Sequence, residues 1–193
     1  MVSKAIFAAA MVVGTVFIGV YPLIGSEKHD AAPSASAEQV ARGAYLVKLG
    51  GCGDCHSPKN FTAQGPVEYT TRLLSGHPAS EKVPAPPAEL GLGGWVAACN
   101  PHMTAWVGPW GVSFAVNLTS DKKTGLGNWT EEQFIQAMRT GKHRGFGRPI
   151  LPPMPWFNLA NASDDDLSAI LAYLKTTKPI VNQAPEPVLA ASR

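Results

Sequence analysis

Only three of the 193 residues are cysteine, too few for a disulfide framework. Charge is scarce as well: 16% of residues carry one, and the formal net charge is only +2. No long run of Lys or Arg occurs, so nucleic acid is excluded as a partner class. What the chain has instead is glycine and proline, 19 and 17 residues, a loop-rich globular composition rather than a disordered one. The length suits a single domain with appendages, and no internal repeat interrupts it.

Charge is absent altogether from residues 5–25, AIFAAAMVVGTVFIGVYPLIG, which follow the single cation of MVSK. A signal peptide needs an apolar stretch of about 7–15 residues, whereas a spanning helix needs about 20. The first good cleavage motif, ASA at 35–37, lies beyond the apolar run, after the polar SEKHDAAPS. We therefore expect an N-terminal hydrophobic helix at 1–25 as a membrane anchor, with Lys4 on the cytoplasmic side. A cleaved signal segment is the other reading. Either one exports the body of the chain, to the periplasmic side of a bacterial inner membrane.

Residues 26–37 are small, polar and Pro-containing, as a linker is. The folded unit is expected over 38–181. It opens on EQVARGAYLVKLGG, a short amphipathic helix stopped by Gly50 and Gly51. Helical periodicity is then lost, and residues 67–107 read as a long irregular insertion; VSFAVNLTS suggests a strand-like segment. Order returns at NWTEEQFIQAMRTG, where Thr130 and Gln133 fit a capping box and Gly141 a helix stop. A Pro-rich loop, RPILPPMPWFN, leads to a last helix that Ser163 caps and Pro179 ends, with an extended tail at 182–193. The fold class expected is all-α.

The chemistry gathers at Cys52, Cys55 and His56, a C-x-x-C-H pattern. Structural zinc would need a second Cys/His pair, and Cys99 stands alone while His77, His102 and His143 are scattered. A redox dithiol would sit in a βαβ unit, of which there is no pattern here. Covalent haem fits better: two thiols form thioethers to the porphyrin, and the adjoining His becomes an iron ligand. One more ligand must come from elsewhere. Met138 lies on an apolar helix face and reads as core, and Met103 lies in an irregular stretch. Met154 sits in LPPMPW between prolines that restrict the backbone around the sulfur, and is the expected distal ligand. His77, His102 and His143 are the alternatives for that position.

GAYLVKLGGCGDCHS, NLTSDKKTGLGNWTEEQFIQAMRTGKH and LPPMPWFNLANASDDDLSAILAYLKTTKPI together resemble class I mono-haem c-type cytochromes. In particular they resemble the haem domains of cytochrome c subunits of membrane-bound alcohol and gluconate dehydrogenases. The resemblance implies a cytochrome c-like helical domain with one haem c, bound through Cys52 and Cys55, with His56 as proximal and Met154 as distal iron ligand. It implies that the first helix crosses the last. It also implies a backbone carbonyl that holds the proximal His, for which Pro58 and Pro66 are the sequence neighbours.

The function expected is electron carriage by a non-enzyme, between respiratory-chain components or from a dehydrogenase. Redox partners would be a dehydrogenase, a quinol-oxidising complex or a terminal oxidase. The other reading is a haem enzyme or a gas or peroxide sensor with an open sixth position. Arg139, Lys142, Arg144 and Arg148, with no acid between Gln133 and Ser163, would form a positive docking rim.

Overall fold

The computed structural model describes residues 35–85, 90 and 95–190. Helix α1 (Ala37–Leu49) starts where Ser36 accepts a hydrogen bond from the Gln39 amide, and ends at Gly50. A five-residue helix, α2 (Cys52–His56), follows at once. Gly51 makes the turn between them possible in the left-handed region, at φ 61°. Helix α3 (Glu131–Thr140) carries the complete Thr130/Gln133 capping box and stops at Gly141, which is also left-handed. Short α4 (Trp156–Leu159) precedes α5 (Asp164–Leu174), whose cap is Ser163 and whose first turn holds three aspartates.

The all-α expectation is corrected. Among the described residues the five α-helices are joined by two antiparallel sheets, with 31% of residues helical and 15% in strands. One sheet is the hairpin β1 (Lys59–Thr62) with β2 (Gly65–Glu68). The other has four strands in the order β3 (Ala98–Cys99), β4 (Ala105–Gly108), β5 (Gly111–Phe114) and β6 (Val188–Leu189). None exceeds four residues, too short for an alternating apolar pattern to register along the chain. Most of both sheets falls where helical periodicity is lost, and of them only β5 overlaps the segment VSFAVNLTS expected to be strand-like; tertiary pairing supplies what local propensity does not. The expected hydrophobic helix at residues 5–25 lies outside the described residues. Among those described, no helix is long and apolar enough to cross a membrane.

The core sits where α1, α3 and α5 meet, built from Val47, Phe134, Met138, Leu167, Leu171 and Leu174 among others. Burying each large side chain of this set contributes about 1.5–3 kcal/mol. Gly43 lets α1 lie directly on α5: a Cβ there would fall 1.9 Å from the carbonyl oxygen of Ala169. The tail after α5 straps the irregular half of the molecule. Buried Asn182 donates to the carbonyls of Ser75 and His77, at 2.7 and 2.8 Å, and accepts from the Ala79 amide at 2.9 Å. Further along, β6 closes the edge of β5.

Candidate functional site

Cys52, Cys55 and His56 share one helix, so their spacing sets two thiols one turn apart with the imidazole beside the second. Both cysteines are half-buried free thiols. Burial pushes both above the ordinary thiol range; at Cys55 the nearby Lys59 charge opposes that rise. His56 is buried and donates its Nδ1 proton to the carbonyl of Val116 at 2.7 Å. A carbonyl can only accept, which fixes the tautomer and turns Nε2 into the ring's free acceptor. Burial pushes the His56 ring below its ordinary value, more than the Val116 bond raises it. The ring is therefore neutral and ready to ligate.

The carbonyl that holds the ring belongs to neither Pro58 nor Pro66. It comes from Val116, sixty residues on. Residues 74–76 brace α2 from behind: Ser57 Oγ accepts from the Leu74 amide at 3.0 Å, and the Gly76 amide donates to the His56 carbonyl at 2.7 Å. Gly76, at φ 76°, runs against residues 115 and 116, leaving 2.5 Å to the Ala115 oxygen from any added Cβ.

Met154 is partly buried, and both it and Cys52 pack on the apolar cluster that includes Leu126, Trp129 and Met138. Its loop is anchored from two sides. Ser113 on β5 donates to the Pro152 carbonyl at 2.6 Å, and Trp156 fills the space in front of Gly141, where an added Cβ would lie 2.4 Å from its ring. Met138 is core, as its helix face implies, and Met103 occupies a tight turn at φ 55°. The other histidines have partners of their own. His77 bonds Thr104 Oγ1 at 2.9 Å and the Glu81 carbonyl at 3.2 Å. His102 bonds the Lys59 carbonyl at 2.6 Å and the Glu81 carboxylate at 3.0 Å, while His143 meets Trp129 edge-on.

The expected positive rim is largely spent on internal contacts. Arg139 pairs with Asp164 and donates to the Ala160 and Ala162 carbonyls; Arg148 pairs with Glu186 at 2.9 Å. Arg144 lies over the Trp129 ring at 5.2 Å. Only Lys142 of the four has no such contact among the described residues and stands exposed.

Over 149 residues, three quarters of its length, the chain is 32% identical to the gluconate 2-dehydrogenase cytochrome c subunit of Pantoea cypripedii. It is a homologue of dehydrogenase cytochrome c subunits. Over 81 residues, 40% of the chain, it is 37% identical to the alcohol dehydrogenase (quinone) cytochrome c subunit of Gluconobacter oxydans strain 621H. The fructose dehydrogenase cytochrome subunit of Gluconobacter japonicus matches at 38% over 80 residues, 41% of the chain. The chain spans only 27%, 17% and 16% of the lengths of these three relatives. No family model matches it.

Cytochrome c subunits carry covalently bound haem c, and the residues present here fit that group. Two free thiols at thioether spacing, a neutral imidazole with Nε2 uncommitted and a thioether sulfur on the same apolar cluster as Cys52 form the donor set such a haem takes. Reading the residues alone missed the Val116 carbonyl, the Ser113 anchor and Lys59. A main-chain acceptor leaves no mark in sequence, which hides both the Val116 carbonyl and the nearby Gly53 and Asp54 carbonyls that Lys59 reaches, while Ser113 meets Pro152 from a distant strand.

Proposed function

We propose that this chain is a one-electron carrier whose haem c is attached at Cys52 and Cys55 and ligated by His56 and Met154. The observation that carries the reading is the His56–Val116 hydrogen bond beside two free thiols. It holds the ring in one tautomer and raises its basicity toward iron. When bound, the haem supplies the exchangeable electron; the protein orients it, keeps water from it and fixes its potential.

The two anchors on the Met154 loop favour a closed sixth position over an open one. A sulfur held by the Ser113–Pro152 bond and the Trp156–Gly141 contact is not easily displaced by a small ligand. That supports a carrier rather than a peroxidase or gas sensor. The homologues' names point to a dehydrogenase as electron donor, and the apolar run at residues 5–25 supports an exported domain.

The test is the visible and near-infrared spectrum of the haem-loaded protein, oxidised and reduced. The expected result is a c-type reduced spectrum with a weak sulfur-to-ferric-iron band that Met154→Ala abolishes while haem stays attached. Haem without that band, together with rapid carbon monoxide binding by the native protein, would move the sensor or enzyme reading ahead.

A further inference from the structure

Lys59 is the one buried lysine among the described residues, 4% exposed, whereas the other lysines stand in solvent. Its ammonium has no carboxylate partner among the described ion pairs. It turns back instead beneath α2, donating to the carbonyl of Gly53 at 3.2 Å and to that of Asp54. These carbonyls belong to the helix that carries both thiols and His56. An uncompensated buried cation is costly, and removing the water around it is tolerated only where dipoles replace that water. The carbonyls at the end of α2 are such dipoles.

The main chain leaves the ammonium little choice of place. Lys59 pairs with Glu68 across the β1–β2 hairpin, and its carbonyl accepts from His102 Nδ1 at 2.6 Å. His102 in turn is held by Glu81. The stretch that reads as an irregular insertion thus clamps a positive charge against the helix of the proposed haem site.

We propose that Lys59 is a charge-setting residue of that site: its buried ammonium raises the reduction potential and so selects which electron donors the domain can oxidise. The inference rests on the electron-carrier reading. Reduction lowers the net charge at the iron by one, so a fixed positive neighbour favours the reduced form. Buried, that effect is strengthened by the low local dielectric and escapes screening by salt. The reach of the charge is visible in its neighbours. The ammonium donates to the carbonyls of Gly53 and Asp54, in the same five-residue helix as Cys55 and His56.

The test is a potentiometric titration of the haem-loaded protein and of Lys59→Gln, Lys59→Met and Lys59→Arg, at low and high salt. Lys48→Gln, which removes an exposed charge on α1, is the control. The neutral variants are expected to shift the one-electron equilibrium about tenfold toward the oxidised form, or about 59 mV, with unchanged ligation spectra. Lys59→Arg is expected to hold the wild-type potential. The shift should persist at high salt, whereas any change from Lys48→Gln should vanish. Haem-bearing neutral variants at the wild-type potential would overturn the proposal. If the neutral variants fail to take haem, uptake by Lys59→Arg supports a role for the charge. Failure of Lys59→Arg as well reduces the residue to packing and overturns it. Wild-type protein that takes no haem would defeat the electron-carrier reading itself, a result distinct from all of these.

Discussion

His56 donates its Nδ1 proton to the carbonyl of Val116 at 2.7 Å, across sixty residues of chain. That carbonyl is held in place by Gly76, whose left-handed backbone lies against residues 115 and 116. A methyl at position 76 would collide with main chain and also sit in a conformation that costs an L-residue about 1–2 kcal/mol. Gly76→Ala should therefore destabilise the domain and push the Val116 carbonyl away from the ring. With haem bound, the weaker bond leaves a less basic imidazole, and the reduction potential should rise. Denaturant titration and potentiometry on the same variant check both effects. Lost stability with an unmoved potential would separate Gly76 from the His56 bond.

The crossing of α1 on α5 depends on Gly43 in the same steric sense. An added Cβ would meet the Ala169 oxygen at 1.9 Å, its carbon at 2.6 Å and Tyr173 Cβ at 2.8 Å. Two of these are backbone atoms and cannot rotate aside. Gly43→Ala should cost more than the about 1–3 kcal/mol usual for an overfilled core, although alanine favours the helix itself. Guanidinium denaturation with tryptophan fluorescence would measure it. A change below about 1 kcal/mol would mean that the helices slide apart more cheaply than this packing implies.

Acid should unfold the strapped half of the domain through His77. The ring is fully buried; its Nε2 donates to the Glu81 carbonyl, so Nδ1 accepts from the Thr104 hydroxyl. Burial is the main cause that pushes this histidine below its ordinary value. The unfolded chain therefore binds the proton first, near pH 6.5, and stability falls as pH drops below that value toward the folded one. At most the loss runs at about 1.4 kcal/mol per pH unit for this one group. Urea midpoints at a series of pH values should show a shallower slope for His77→Gln than for wild type. His143, pushed down chiefly by burial, supplies part of what remains. Equal slopes would remove His77 from the acid response.

The helices were legible because their determinants are local. Ser36 and Gln39, Thr130 and Gln133, Ser163 and Asp166 make their capping contacts within three residues, so composition at those positions is enough to find them. Of the strands only β5 was marked, by the start of VSFAVNLTS; Ala98–Cys99 and Val188–Leu189 hold their form only through partners elsewhere in the chain. The same divide explains the arginines. Their run without an acid reads as an exposed positive rim, but Asp164 and Glu186 come to meet Arg139 and Arg148 from beyond that run.

At the site, spacing alone determined that Cys52, Cys55 and His56 form one cluster, because one helical turn brings positions three and four apart onto the same side. The prolines around Met154 likewise marked a constrained sulfur without reference to any fold. Only the tertiary structure decided which carbonyl holds His56, where the Lys59 charge lies, and which strand anchors the Met154 loop. Main-chain acceptors are common to every residue, so the choice among them rests on how distant segments pack. Val116 and Ser113 sit on and beside a strand that exists only because β4 and the tail pair with it.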